Sequence, residues 1–313
     1  MRFVPAKREN VHLIVGMVGG SGSGKTYSAL RLASGMAQGK RFAVIDTEAR
    51  RALHYASEFT FDHLDLEPPF TPTRYHEAVM AAEESQYPVI VIDSMSHEHT
   101  GEGGLLDWHD NQVQELIDRA KKRGSKEPEW ALADKYNMQA WIEPKRAHKR
   151  LMDRITQIRA NVILCFRAES KIKIVKENKK SVIVNDGWHP ICEKNVAFEL
   201  IVSFLLSHER PGAIMPVNLK LPKPLIPVFR EGTLIDEASG ENLLKWASGD
   251  NTLSGDPVAE YRAKMKAAKS VQDLRRLYTM ITADKRVEVA GIARDLLREC
   301  EAASQKLTEG ELE

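Results

Sequence analysis

Short, almost unbroken apolar runs recur through the first two-thirds of the chain: Val11–Val18, Phe42–Ile45, Val89–Ile92 and Val162–Phe166. Each is the length of a strand and lacks polar alternation, the pattern of strands buried on both faces. Phe61–Leu66 alternates instead, as an edge or half-buried strand does. Helical spacing fills the intervals. Leu30, Ala33, Met36 and Ala37 share one side after the first strand, and Ala78, Val79 and Ala82 share one in a helix capped by Thr73 and running to about Ser85. Leu105–Ala120 is amphipathic. Pro144 sits in the first turn of another helix, whose apolar face is Leu151, Met152, Ile155 and Ile158. Alternation of this kind predicts an α/β fold, a mostly parallel sheet with helices on both faces.

Beyond Phe166 the pattern changes. Lys171–Lys176 and Ser181–Val184 alternate around the polar turn Glu177–Lys180, which predicts a basic β-hairpin. A helix near Ile191–Leu200 and a strand near Ile201–Leu206 follow. Strands around Val217–Leu221 and Ile226–Phe229 are interrupted by prolines and read as antiparallel sheet edge. Ser248–Asp256 has the composition of a linker. After it come three helical stripes: Val258, Tyr261, Met265 and Ala268; Val271, Leu274, Leu277, Tyr278 and Ile281; Val289, Ile292, Leu296 and Cys300. The expected organisation is a domain over 1–247, a linker over 248–256, a small helical bundle over 257–305 and a disordered acidic tail over 306–313.

The chemistry is concentrated after the first strand. Gly19-Gly20-Ser21-Gly22-Ser23-Gly24-Lys25-Thr26 fits G-x-x-x-x-G-K-[ST] at every fixed position. Glycines allow the backbone to turn its N–H groups toward phosphate oxygens, and the following helix, beginning near Tyr27, adds its positive end. Lys25 would reach the β- and γ-phosphates and Thr26 would ligate Mg²⁺, so ATP with Mg²⁺ is the expected cofactor. In parallel sheets ligands bind at the carboxyl ends of strands, where Asp46, Glu48, Asp93 and Arg167 fall. Asp93 has the place of a second Mg²⁺-holding group. Glu48 is the candidate base that deprotonates the attacking water.

Composition narrows the classes. The 313 residues carry a net charge of +1, so any nucleic-acid surface must be a local patch rather than the whole molecule. The charged face Lys145, Arg146, His148, Lys149, Arg150 and Arg154 fits either such a patch or plain solvation. No apolar run approaches the ~20 residues of a membrane span, and no secretory h-region follows the N-terminus. Cys165, Cys192 and Cys300 are odd in number and far apart, which predicts neither disulfides nor a zinc site and makes a reducing cytoplasm the default. His97, His99, His109, Asp107 and Asp110 match no ligand spacing of a helical or finger-type metal site.

The order of these motifs resembles the RecA-like branch of P-loop ATPases. GGSGSGKT is similar to its Walker A loop, Val44-Ile45-Asp46-Thr47-Glu48 to the strand that carries its catalytic glutamate, and Val89–Ser94 to its Walker B strand. Val162–Arg167 resembles the strand whose tip senses the γ-phosphate, with Phe166-Arg167 where RecA has a glutamine. The resemblance covers about residues 10–235. Trp141–Lys145, Cys165–Glu169 and Ile191–Asn195 further resemble segments of phage-encoded ATPases with a minimal RecA-like core, in the single-strand annealing recombinase group.

That resemblance implies single-stranded DNA as partner, held by the loops after the Walker B and sensor strands. The second loop contains Lys171, Lys173, Lys176, Lys179 and Lys180. It also implies a homo-oligomer, ring or filament, with a basic residue donated in trans. Lys220 and Lys223 are candidates by position, with Arg167 and Lys171 as rivals. A role in phage recombination or replication in the cytoplasm of an infected bacterium, and a single-strand binding protein as further partner, belong to the same expectation. Two other classes stay open: a nucleotide-gated loader or sensor that binds a protein partner, marked by tight ATP binding without turnover, and a small-molecule kinase. The kinase would use Asp46 on its acceptor and the 145–154 cluster as a lid.

Overall fold

The computed structural model describes residues 3–309 except 4, 10, 178–179, 216–219, 251–252, 254–256 and 284–292. Six strands run parallel in the order β3-β2-β4-β5-β1-β7: β1 Ile14–Gly19, β2 Phe42–Asp46, β3 Phe61–Asp65, β4 Val89–Asp93, β5 Asn161–Glu177 and β7 Val202–Leu205. The seventh, β6 (Lys180–Pro190), pairs antiparallel with the outer part of β5.

Alternation along these buried strands divides their side chains between two cores. Val15, Met17, Val44, Val91, Ile163 and Cys165 face one, together with Leu30, Ala33 and Met36 of α1 (Lys25–Ala37). Ile14, Val18, Ile45, Ile90, Ile92, Leu164 and Phe166 face the other. There they meet Ala78 and Val79 of α2 (Pro72–Glu84) and Leu151 and Ile155 of α6 (Ile142–Gln157). Helices therefore cover both faces, as the sequence predicts. Between β4 and α6 lie α3 (Ser96–Thr100), α4 (Leu105–Lys122) and α5 (Glu129–Ala140). The short α7 (Val196–Glu199) precedes β7.

Several local readings change. The cap of α2 is Thr71, whose hydroxyl accepts from Arg74 N with Pro72 at the first helical position, not Thr73. The sensor strand and the first arm of the hairpin are one continuous strand, β5. Ile226–Phe229 is no strand: Pro222, Pro224 and Pro227 leave too few N–H donors for a ladder, and Lys223–Leu225 forms a 3₁₀ turn. The Val217–Leu221 reading falls largely outside the described residues, although Lys220 makes a lone antiparallel bridge to Ser203. An unforeseen helix, α8 (Glu237–Ala247), packs on α1 through glycines, since a Cβ on Gly35 would stand 1.9 Å from the Glu237 carbonyl oxygen.

Leu253, within the expected linker, is buried in the α1-side core, while 251–252 and 254–256 lie outside the described residues. The C-terminal helices are α9 (Pro257–Ala267), α10 (Val271–Ala283) and α11 (Ala293–Glu309). They enclose Tyr261, Leu274, Leu277, Ile281, Leu296 and Cys300. Val289, Ile292 and residues 310–313 of the tail are outside the described residues. Among those described, no helix is long and apolar enough to cross a membrane.

Candidate functional site

The strand order brings the site together. Because β5 lies between β4 and β1, Arg167 stands in register with Gly19 on one side while its strand pairs with β4 on the other. Sequence periodicity predicts each of these strands but not their lateral order.

The glycine loop runs from β1 into α1. Gly22 and Gly24 adopt φ of 77° and 78°, and a Cβ on Gly24 would lie 2.9 Å from Gly212 N, so only glycine fits there. The first intrahelical bond of α1 is Ser28 N to Gly24 O at 2.9 Å. The amides of Lys25, Thr26 and Tyr27 precede it at the positive helix end, where phosphate oxygens are stabilised. Lys25 Nζ and Ser23 Oγ both donate to the Gly20 carbonyl at 2.9 Å. Burial lowers the Lys25 pKa, against the pull of Asp93 and Glu48.

Thr26 Oγ1 donates to Asp93 Oδ2 at 2.6 Å. Asp93 is 3% exposed, and burial pushes its pKa up to about 6, with the Thr26 bond and Lys25 opposing the rise. Two hard oxygens from chain positions 67 residues apart, one a carboxylate whose charge is poorly solvated, form a donor pair suited to Mg²⁺. The residues present therefore fit the metal that the loop implies.

Glu48 lies just beyond β2 and is held in place by Asp46. The Asp46 carboxylate accepts from Glu48 N at 2.7 Å and Ala52 N at 2.9 Å, and meets His63 Nε2 at 3.2 Å. These contacts bend the chain out of the strand and aim Glu48 inward, at the cost of left-handed backbone at Ala49 and Arg50, φ 54° and 63°. They also occupy the group that a kinase would need for its acceptor. Glu48 receives a bidentate pair from Arg167, Nε to Oε1 at 2.8 Å and Nη2 to Oε2 at 2.7 Å, with Arg51 Nη1 at 3.5 Å. Burial alone would raise the Glu48 pKa; the Arg167 bonds outweigh it and hold the carboxyl below its ordinary range.

Thr47 Oγ1 bridges the Ser94 carbonyl at 3.1 Å and His97 Nδ1 at 2.8 Å, and the His97 ring stacks on Phe70 at 4.9 Å. His109 stacks instead on Trp141 at 4.3 Å. Among the described residues no group of these side chains is arranged to hold a metal.

Sequence reasoning missed the walls of the site. Tyr27 joins Tyr55 and Phe59, ring centroids 5.2 and 5.5 Å away, in an aromatic surface beside the loop. The spacing of Tyr55 and Phe59, one helical turn apart, was the only signal. Trp188 flanks Gly20 and His208 flanks Gly22, each 3.3 Å from where a Cβ would stand, and Gly212 N donates to Ser23 O at 2.9 Å.

The basic candidates are dispersed. In the hairpin, Lys171 pairs with Glu169 at 3.1 Å and Lys173 with Asp186 at 2.6 Å. Lys176 is exposed, Lys180 opens β6, and Lys179 is outside the described residues. Lys220 Nζ caps α7 through the carbonyls of Ala197 and Phe198, at 3.3 and 3.1 Å. Lys223 begins the 3₁₀ turn Lys223–Leu225. Neither lies with Lys25 and Glu48 in the strand-end cluster, as a residue acting on a neighbouring subunit need not.

Residues 12–204 match a family model described as an AAA domain. The match spans every strand but the last residue of β7 and includes Lys25, Thr26, Glu48, Asp93 and Arg167. A comparison with curated proteins found no match. The chain belongs to the AAA-domain family.

Proposed function

From membership in the AAA-domain family, we propose that the chain is an ATPase that works on single-stranded DNA in phage recombination or replication, inside the infected bacterial cell, as a ring or filament of identical subunits. The observation that carries the reading is the Glu48–Arg167 pair placed beside Lys25 and the Thr26–Asp93 couple.

In this reading the loop amides and Lys25 bind the phosphates of ATP, and the Tyr27–Tyr55–Phe59 surface takes the base. Thr26 and Asp93 would hold Mg²⁺, which neutralises phosphate charge when bound. The γ-phosphate oxygens compete with Glu48 for the Arg167 guanidinium. Once released, Glu48 accepts a proton from water, the water oxygen bonds to the γ-phosphorus, and the bond to the β–γ bridging oxygen breaks to leave ADP and phosphate. Lys25 stabilises the charge that develops on the departing oxygen.

The DNA assignment draws on the continuity of β5, which runs from Arg167 directly into the lysine-bearing hairpin. Lys171 and Lys173 are about half exposed, and such solvent-screened surface ion pairs are weak, so backbone phosphates can displace their partners. A single-strand binding protein would then share the same substrate.

Glu48→Gln and Lys25→Ala test the reading. Glu48→Gln should bind ATP as wild type does and turn over roughly 10²–10⁴-fold more slowly, while Lys25→Ala should lose ATP binding. Normal hydrolysis by Glu48→Gln would remove the glutamate from its role. The clamped state of Glu48 also favours a second reading, a nucleotide-gated loader or sensor for a protein partner, which would bind ATP tightly with negligible turnover even in the presence of DNA.

A further inference from the structure

The β5–β6 ribbon beyond Arg167 has an apolar face that nothing in the described chain covers. Residues 168–177 carry β5 about 30 Å past the parallel sheet at ~3.3 Å per residue, with β6 as partner strand. Residues directly opposed in an antiparallel pair share a face. Ile174 stands opposite Ile183, and Ile172 opposite Asn185. Ile172, Ile174 and Ile183 are 68%, 69% and 65% exposed. Lys176, two residues beyond Ile174, lies on the same face and has no ion-pair partner among the described residues.

A complementary strip lies elsewhere on the molecule. Trp130, Asp134 and Met138 recur every four residues along α5, and Ile142 continues the spacing into α6. The opposite side of α5 supplies its core contact: Leu132 packs with Ile117 and Ala120 of α4. Trp130, Met138 and Ile142 are 72%, 79% and 51% exposed. Asp134, in the middle of the strip, is exposed and has no cationic partner among the described residues. One face is thus aliphatic with a cation at its edge, and the other is apolar with an anion at its centre.

Nucleic acid suits the isoleucine face poorly. Single-stranded bases are held by stacking on aromatic rings, and this face presents aliphatic branches. Lys173, between Ile172 and Ile174 in the ladder, alternates onto the opposite face of the ribbon, where phosphates can reach it without covering the isoleucines. Exposed isoleucines on a two-stranded ribbon call for a protein surface.

We propose that the Ile172–Ile174–Ile183 face of one copy docks on the Trp130–Asp134–Met138–Ile142 strip of a second copy, with Lys176 meeting Asp134. The two surfaces differ, so the contact is heterologous. Each added copy leaves one surface of each kind free, and growth continues until the rotation closes a ring or runs on as a filament. The contact rests on the proposed ring or filament of identical subunits, for which it names the surfaces, but it uses no residue of the nucleotide site and does not depend on hydrolysis. It is therefore measured without nucleotide.

The experiment is sedimentation and light scattering of the full chain across a wide concentration range. It uses a ribbon variant (Ile174→Asp with Ile183→Asp) and a strip variant (Trp130→Ser with Met138→Ser). The wild type should exceed monomer mass and grow with concentration, and each variant should be monomeric. An equimolar mixture of the two variants should form a dimer and stop there, because one intact ribbon meets one intact strip. Asp134→Lys should weaken assembly by at least tenfold, and adding Lys176→Asp should restore it, a rescue that misfolding cannot imitate. A monomeric wild type, a variant that assembles normally, or a mixture that stays monomeric would overturn the proposal. So would a ribbon variant that keeps wild-type mass but loses single-stranded DNA, which would give the face to nucleic acid.

Discussion

Replacing Asp93 by asparagine should stabilise the protein while ending its response to Mg-ATP. The Asp93 carboxyl is buried, and its pKa rises from 3.8 to about 6, with burial as the dominant cause. A group whose folded pKa is raised contributes its full stability below the unfolded value and loses it as pH climbs through the folded one. At pH 7.5 the ionised carboxylate is therefore a burden. Its magnitude is about 3 kcal/mol, because each tenfold change in proton affinity is worth about 1.4 kcal/mol. Asparagine removes the charge but keeps an oxygen for the Thr26 hydroxyl, now 2.6 Å from Asp93 Oδ2. Lys25 loses an attractive neighbour, which trims the gain. The midpoint of thermal unfolding should rise by somewhat less than the roughly 6–12 °C that about 3 kcal/mol would give at ~2–4 °C per kcal/mol for a domain of this size.

The assay is unfolding followed by circular dichroism at pH 7.5 and at pH 5, with and without Mg-ATP. The variant should exceed wild type at pH 7.5, keep only about half of that lead at pH 5, and gain nothing from Mg-ATP that wild type gains. A variant no more stable than wild type at pH 7.5, with unchanged secondary structure, would refute the claim that Asp93 is held ionised against its burial.

Arg167→Gln should move the acid limb of the pH–rate profile upward, because burial then acts on Glu48 without its counter-ion; an unmoved limb would show that Glu48 is not the titrating base. His148 is buried between Glu98, 2.9 Å from its Nδ1, and Glu193, 4.0 Å from its Nε2, and the Glu98 bond raises its pKa despite burial. His148→Gln should cost roughly 1–3 kcal/mol below the ordinary imidazole pKa. The penalty should shrink as pH rises through the elevated folded value, and urea titrations at pH 6 and pH 9 give the comparison; a cost independent of pH would contradict it. Gly35→Ala should destabilise by about 1–3 kcal/mol through collision with the Glu237 carbonyl, read from the same titrations, whereas a neutral result would place α8 farther from α1.

How much of this was legible in the sequence depended on range. The glycine loop is contiguous, so its residues and their chemistry can be read directly. Asp93 and Glu48 follow buried apolar runs, and parallel topology places such positions at the ligand edge. The Glu48–Arg167 pair was not legible, because 119 positions separate its members and the order of strands decides whether they meet. Asp46 looked available for an acceptor until the turn after β2 enclosed it in backbone N–H groups. Helix α5 carries Leu132 on its core side and Trp130 and Met138 on its solvent side. A helix apolar on two sides gives no single stripe to find. α8 hid for a related reason: its contact with α1 is made by Gly240 and Gly35, residues that weaken a helical signal while permitting the close approach.

The most direct test of the central claim is steady-state hydrolysis of Mg-ATP without DNA and with equal nucleotide amounts of single- and double-stranded DNA, with Lys25→Ala as the blank. Single strands should stimulate turnover strongly, with the stimulation falling as salt rises because phosphate contacts release counterions. A rate indifferent to DNA, accompanied by no DNA binding, would contradict the claim.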